Sequence, residues 1–134
     1  MPLLTEIVIT NNPMVRDRIQ GAPESKLGAA CNMVEFHETD YLGVLKVVRD
    51  RIHLGYGLLT HPLSGSVKPG ETPYKTVVIS AERGSLDEKA LLIIEDSIQT
   101  CLKLTKNGLK KDWSGKILAD FQLIDYSLVF GSFR

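Results

Sequence analysis

The sequence predicts an α/β fold, in the form of a small three-layer α/β/α sandwich with a short, mostly parallel sheet. Short runs of β-branched residues, typical of buried strands, alternate along the chain with segments whose apolar residues recur at helical spacing. Strands that alternate with helices form a sheet whose faces those helices cover. The length of 134 residues suits one domain, so we expect residues 1–134 to form a single unit.

The N-terminal part of the chain predicts a strand, a helix and a second strand. The segment Glu6–Thr10 contains three consecutive β-branched residues and predicts a buried strand. Asn12 is a typical helix cap, and Pro13 fits the first helical position because its missing N–H would be unpaired there anyway. Met33–His37 alternates apolar with polar residues and predicts the second strand.

A longer helix and a short strand follow. Asp40 is the predicted N-cap of this helix, and Gly55 is its predicted stop. Between them the apolar residues recur at helical spacing: Tyr41, Val44, Leu45, Val48 and Ile52. Leu58-Leu59-Thr60 then predicts a short third strand.

The C-terminal part predicts one more strand and two helices. Thr76–Ser80 is a second β-branched run. Ser85 and Glu88 match a capping box for a helix that should end near Asn107-Gly108. The last segment, 117–130, fits a helix and can in part be interpreted as a strand; we favour the helix.

The charges and cysteines exclude several function classes. Basic and acidic residues both number 16, so no overall field favours nucleic acid or an anionic membrane, and we expect neither as a partner. No apolar run is long enough to span a membrane, and the first residues lack the basic start of a secretory signal. Cys31 and Cys101 form no C-x-x-C pair, so we expect reduced thiols in a cytoplasmic protein.

The end of the first strand is a candidate binding site. In an open α/β sheet, ligands bind beyond the carboxyl ends of strands. Asn11 and Asn12 lie at such an end, and the free N–H groups of the helix that starts there suit an anion. Capping that helix is the commoner role of an asparagine at this position, and on this motif alone we favour it.

The second candidate is the polar loop from Thr60 to Lys75, which is long for a compact domain and contains three prolines. Its hydroxyls, close backbone N–H groups and positive charges suit a phosphate or a carboxylate. The predicted ligand-binding residues in it are His61, Ser64, Gly65, Ser66, Lys68, Thr72 and Lys75. The loop is not a P-loop, because no Gly-Lys-Ser/Thr sequence follows its glycines. An ordered connection whose polar groups bond to each other is an equally weighted alternative.

His61 is the single candidate for catalysis, because an imidazole titrates near neutral pH and can act as a general acid or base. A structural role is the simpler interpretation, since the partners of a catalytic triad are not evident. His37 and His61 are too scattered to predict a metal site, and the sequence predicts no cofactor.

The segment LLTHPLSGSVKPGETPYKTVVIS, from Leu58 to Ser80, resembles the GrdX family. The opening IVITNNP and the DFQLID near the C-terminus are also similar to that family. The family is named for genes found with the glycine, sarcosine and betaine reductase systems of anaerobic bacteria, which use selenoproteins and thioredoxin and yield acetyl phosphate. The resemblance implies a cytoplasmic accessory role in amino-acid metabolism and no particular reaction. Without a C-x-x-C pair or selenocysteine, the chain looks unlike an electron carrier of that system.

Three hypotheses follow. The first is an accessory protein that binds a reductase component or a small anionic metabolite at the strand-end loops. The second is a small enzyme acting on a phosphorylated or carboxylated metabolite, with His61 as general acid or base and the anion held by Asn11, Asn12, Ser64, Ser66 and Lys68. The third is a subunit whose loop forms a contact between copies of the chain. The first two require the Asn11 turn and the loop to meet in space.

Overall fold

The computed structural model describes residues 4–21, 31–63, 67–106 and 113–130, and within these ranges strands and helices follow the predicted order. The strands are β1 Leu4–Thr10, β2 Cys31–Phe36, β3 Tyr56–Leu58 and β4 Thr76–Arg83. The helices are α1 Pro13–Gly21, α2 Tyr41–His53, α3 Glu88–Thr105 and α4 Gly115–Phe130. None of the helices in these ranges is long and apolar enough to cross a bilayer. The fold is mixed α/β.

The strands form one open sheet in the order β2-β1-β4-β3. β1 and β2 are parallel, and helix α1 makes the crossover between them. β4 runs antiparallel to both of its neighbours, β1 and β3. The expectation of a mostly parallel sheet is therefore wrong, since two of the three pairings are antiparallel. The chain returns from β3 to β4 through the Thr60–Lys75 loop instead of a crossover helix, and this reverses the strand direction.

Both faces of the central strands β1 and β4 are buried, each against its own pair of helices. One face joins a core with residues of α2 and α3: Ile7, Ile9, Val77, Ile79, Val44, Leu45, Val48, Ile94 and Ile98. The other face joins a smaller core with residues of α1 and α4: Val8, Val78, Val15, Ile19, Val129 and Phe130. This division follows from the two-residue period of a strand. The end of β1 and the start of β4 consequently lie between the two helix pairs.

The helix caps agree with the sequence at α2 and differ at α3. The Asp40 carboxylate accepts a hydrogen bond from the backbone N–H three residues on, at 2.8 Å, and Gly55 follows α2 with a φ of 102°. Both predictions are confirmed. The capping box is wrong, because Asp87 caps α3 by accepting from Ala90 N at 3.1 Å. Asp87 directly precedes the first helical residue, whereas Ser85 lies two residues too early to reach these N–H groups.

The ambiguous C-terminal segment is helix α4, as favoured from the sequence. Its buried residues include Asp125 as well as the apolar Val129 and Phe130. β3 lies two residues earlier than predicted, and β4 continues past the predicted end to Arg83. The predicted stop at Asn107-Gly108 lies outside the described residues.

Candidate functional site

A buried polar cluster lies where β1 ends and β4 begins. Thr10 and Thr76 pair across these antiparallel strands, and their hydroxyl oxygens are 2.7 Å apart. The Thr76 hydroxyl donates to Asp125 Oδ2 at 2.6 Å, and Asn12 Nδ2 donates to the same oxygen at 2.9 Å. Because the Thr76 proton is directed at the carboxylate, the Thr10 hydroxyl donates to Thr76. Side chains from β1, β4 and α4, and from the turn after β1, thus form one hydrogen-bonded group.

Asn12 is fully buried and makes its contacts with both ends of its amide. Its Oδ1 accepts from Met14 N at 2.9 Å, which is the predicted capping of α1. Its Nδ2 donates to the backbone oxygen of Gln122 at 3.0 Å as well as to Asp125. The same side chain that caps α1 therefore also links α1 to α4.

Asn11 joins the turn after β1 to the end of the Thr60–Lys75 loop. Its Oδ1 accepts from Lys75 N at 2.8 Å, and its Nδ2 donates to the backbone oxygens of Pro73 and Thr39, each at 2.9 Å. The turn and the loop therefore meet in space, which is the geometric condition that the first two hypotheses set.

The side chain of Lys75 lies in a cleft beside this cluster. Only 5% of Lys75 is exposed, and its Nζ lies 5.7 Å from the ring centroid of Tyr41. The residues around this cleft, which we call the Lys75 cleft, are Tyr41, Val67, Thr72, Tyr74, Lys75, Phe121, Ile124, Asp125 and Leu128. The space left in it is about 10 Å³, which is the room that one water molecule needs.

The ionisable groups of the Lys75 cleft have shifted pKa values. Burial lowers the pKa of the Lys75 ammonium, and the charge of Asp125 opposes this shift. Burial raises the pKa of the Asp125 carboxyl, against the hydrogen bonds from Thr76 and Asn12 and the charge of Lys75. Burial also raises the pKa of Tyr41 far above its usual range, so its phenol is a neutral donor at physiological pH. Opposite shifts of an acid and a base in one cleft are typical of functional sites.

A second cavity lies next to the Lys75 cleft. It has a volume of about 120 Å³ and is lined by Asp40, Tyr41, Leu42, Thr72, Pro73, Cys101, Thr105 and Trp113. We call it the Trp113 pocket. Cys101 is a free thiol in the core, and burial raises its pKa to about 11. A thiol with this pKa is protonated at neutral pH and is a poor nucleophile.

His37 takes part in an ion pair network away from both cavities. Arg51 Nη1 lies 2.6 Å from Glu35 Oε2, and His37 Nε2 lies 3.4 Å from the other oxygen of Glu35. The hydrogen bond from Arg51 lowers the pKa of Glu35. Across the four described ranges, no three His, Cys, Asp or Glu side chains are grouped to hold a metal ion.

Comparison with known proteins gives a family match. The family described as GrdX-like protein matches residues 7–134, nearly the whole chain. The chain belongs to the GrdX-like family. No curated protein and no solved structure matches it. The matched span of this GrdX-like chain contains the whole of the Lys75 cleft and the Trp113 pocket.

The GrdX-like chain brings some of the predicted site residues together. Asn11, Asn12, Thr72 and Lys75 are all buried, and the bonds of Asn11 and the lining of the cleft place them in one region. Their role in ligand binding stays a prediction. Ser64, Gly65 and Ser66 lie outside the described residues.

The other two predicted residues, His61 and Lys68, are exposed and line neither cavity. His61 Nδ1 accepts from Leu63 N at 3.0 Å, within its own turn. Lys68 begins a tight turn, in which Glu71 N donates to its backbone oxygen at 3.0 Å and Gly70 has a φ of 90°. Pro69 followed by a glycine of positive φ is typical of a type II turn.

Tyr41 and Asp125 are among the residues of the Lys75 cleft that sequence reasoning missed. Tyr41 looked like one more apolar position of α2. Asp125 lies in the helix region 117–130, whose neighbours are mostly apolar. A carboxylate on the buried side of such a helix needs hydrogen-bond donors, so an aspartate within this apolar pattern indicates a buried polar contact.

Proposed function

We propose that this GrdX-like chain is a cytoplasmic accessory protein of the glycine, sarcosine and betaine reductase system, and that it binds a small anionic metabolite in the Lys75 cleft. The family name and the resemblance support the link to the reductase system. A reductase component is the protein partner that this context suggests. The neutral charge of the chain supports a local, specific anion site over a general electrostatic surface.

The observation that carries the proposal is the position of Lys75. Lys75 is 5% exposed and still lines a cleft, so a ligand that enters meets a cation in surroundings of low dielectric. The Tyr41 phenol beside it is a further donor. Asn11 bonds to the backbone of Pro73 and Lys75, and the Thr76 hydroxyl bonds to Asp125, so the chain is fixed on both sides of the Lys75 side chain.

The size of the cleft limits the ligand. With room for about one water molecule, the cleft accepts even acetate or phosphate only when its rim moves. Ile124 and Leu128 form part of this rim and are exposed side chains of α4. Exposed side chains change rotamer rapidly, so the rim can open without unfolding of the helix.

A small enzyme acting on a phosphorylated or carboxylated metabolite is the second candidate function. The opposite pKa shifts of Asp125 and Lys75 favour it, because such a pair can supply an acid and a base. The exposed position of His61 does not favour its role as the general acid or base of this cleft. Hydrolysis of acetyl phosphate that is lost in Asp125→Asn would support the enzyme.

Thermal unfolding in the presence of small anions tests the binding proposal. The panel contains phosphate, sulfate, acetyl phosphate, acetate, glycine, sarcosine and betaine, with chloride as the ionic-strength control. A ligand at about 100 times its Kd adds roughly 2.7 kcal/mol, or roughly 10 °C for a domain of this size. Lys75→Met removes the buried charge at similar length, and Lys68→Met is the matched exposed control.

We expect a selective rise in Tm that Lys68→Met keeps and Lys75→Met loses. Each variant is compared with its own ligand-free Tm, so a change in basal stability does not affect the result. An equal rise in both variants, or no rise with any anion, contradicts the Lys75 cleft as an anion site. Co-purification with reductase components then becomes the test of the accessory role.

A further inference from the structure

The Lys75 cleft and the Trp113 pocket are neighbours. Tyr41 and Thr72 line both, so the two cavities adjoin at these residues. The Tyr41 hydroxyl donates no hydrogen bond within the described parts of the chain, although only 4% of the residue is exposed to water. An unused donor therefore lies between a cavity that contains a cation and a larger cavity.

The Trp113 pocket offers a ligand mainly apolar contacts. Leu42, Pro73 and the Trp113 ring line it. Two of its polar side chains are engaged: the hydroxyl of Thr105 donates to the backbone oxygen of Cys101 at 2.7 Å, and that of Thr72 accepts from Tyr74 N at 3.2 Å. The buried Nε1 of Trp113 has no hydrogen-bond partner among the described residues, so the ring also carries an unused donor.

Asp40, also at the Trp113 pocket, accepts from Gly43 N as the α2 cap. The group that fits there is largely hydrocarbon and meets one unused donor, the Trp113 N–H.

The volume of the pocket sets the length of that group. A dry cavity of about 150 Å³ lined by apolar side chains holds benzene, which has six carbon atoms. The Trp113 pocket, at about 120 Å³, has room for a somewhat smaller group. A chain of roughly three or four carbon atoms fits this space.

We infer that the anionic ligand is a short-chain aliphatic carboxylate, whose carboxylate binds Lys75 and the Tyr41 hydroxyl and whose hydrocarbon chain enters the Trp113 pocket. This inference rests on the proposed anion site. It adds the chemical class of the ligand and assigns Tyr41 as a ligand-binding residue. No covalent step is involved.

Calorimetric titration of the full chain with acetate, propionate, butyrate and octanoate tests the inference. Each methylene that leaves water contributes about 0.8 kcal/mol, which is roughly a fourfold lower Kd. We expect butyrate to bind roughly 15-fold more tightly than acetate, and octanoate to bind no more tightly than butyrate because the pocket is full. Tyr41→Phe should weaken all of these ligands.

Variants of Thr105 test whether the tighter binding of butyrate arises in the Trp113 pocket. Thr105→Phe fills the cavity, and the ratio of the acetate and butyrate Kd values should fall to about one. Thr105→Val keeps the volume without the hydroxyl, and the ratio should stay as in the native chain. Circular dichroism establishes that each variant is folded, and Thr105→Leu replaces Thr105→Phe if the larger ring prevents folding.

The outcomes separate this inference from the proposed function. If Lys75→Met abolishes acetate binding but a longer chain does not lower the Kd, the inference is overturned and the anion site stands. If butyrate still binds more tightly than acetate in Thr105→Phe, the inference is also overturned, because the hydrocarbon chain then binds outside the Trp113 pocket. If no carboxylate binds, or if Lys75→Met binds them as the native chain does, the anion site falls and the inference falls with it.

Discussion

Replacing Asn12 by alanine should destabilise the fold strongly, because this one amide caps α1 and links it to α4. The substitution removes the acceptor of Met14 N and both donors to α4, at the Gln122 backbone oxygen and at Asp125 Oδ2. The site is fully buried, so water does not replace the lost partners.

The size of the effect follows from these bonds. Loss of an N-cap costs about 1 kcal/mol. Loss of the donor to the Asp125 carboxylate costs about 2 kcal/mol, and loss of the neutral bond to Gln122 costs about 0.5 kcal/mol. The total of about 3.5 kcal/mol is below the stability of a typical domain, so the variant should still fold at 25 °C. For 134 residues it corresponds to a fall in Tm of roughly 12 °C.

Urea denaturation followed by tryptophan fluorescence measures this loss. Trp113 is the single tryptophan, and its ring contacts Phe121 of α4 edge to face with centroids 6.4 Å apart. Its emission therefore reports the docking of the helix that Asn12 binds. Two further variants separate the contributions: Asn12→Ser keeps a capping oxygen and loses both donors, and Asn12→Asp replaces the donor by a carboxylate facing Asp125.

We expect Asn12→Ser to recover only the roughly 1 kcal/mol that capping contributes. Asn12→Asp should be the least stable at neutral pH, because two carboxylates then compete for one site, and it should gain stability as the pH falls. If Asn12→Ser matches the native chain in its urea midpoint, the bonds to α4 contribute nothing. If Asn12→Asp is as stable as the native chain at pH 7, Asn12 does not donate to Asp125, and the reasoning is refuted.

Two other substitutions test the turn and the buried carboxyl. Gly70→Ala should cost about 1–2 kcal/mol in urea denaturation, because Gly70 has a φ of 90° and a Cβ there lies 3.4 Å from Thr105 Cγ2. Gly84→Ala, which meets no atom within 4 Å, is the control and should stay within about 0.5 kcal/mol. Burial raises the pKa of Asp125 in the folded state above its unfolded value of about 4. The protonated carboxyl therefore contributes its full stability below pH 4, and this contribution is lost as the pH rises through the folded pKa. The stability of Asp125→Asn relative to the native chain should therefore increase from about pH 4 upward; a difference that does not change with pH would contradict this cause.

Local sequence signals predicted the elements well. The β-branched runs in β1 and β4 and the periodic apolar residues of α2 correspond to the observed strands and helix. Each of these signals depends on burial of neighbouring residues within one element, so a single segment contains the information.

Strand direction was harder to predict, because it depends on how elements separated in the chain pair. The alternation of strands and helices suggested a mostly parallel sheet, and the Thr60–Lys75 loop was interpreted as a binding loop. The same loop also had a topological meaning, since a strand that follows another without an intervening helix usually returns antiparallel.

The candidate site was predicted only in part, because it also depends on elements that are far apart in the chain. Asn11 and Lys75 followed from their positions at a strand end and in an unusual loop. Asp125 lies 113 residues after Asn12, and only the packing of α4 against α1 brings the two together. Pattern reasoning along one chain cannot measure such a distance.

The pairing of β1 with β4 also bears on how the chain acquires its structure. Thr10 and Thr76 are 66 residues apart, and the strands that contain them supply apolar residues to both hydrophobic cores. Contacts between such distant residues form slowly, because the ends of a long chain segment must first meet. During synthesis, neither core can close until β4 has left the ribosome, and the β1–α1–β2 unit must wait with the sheet face opposite α1 uncovered. The same central pairing that holds the two sides of the finished fold together therefore delays its completion until most of the chain has been made.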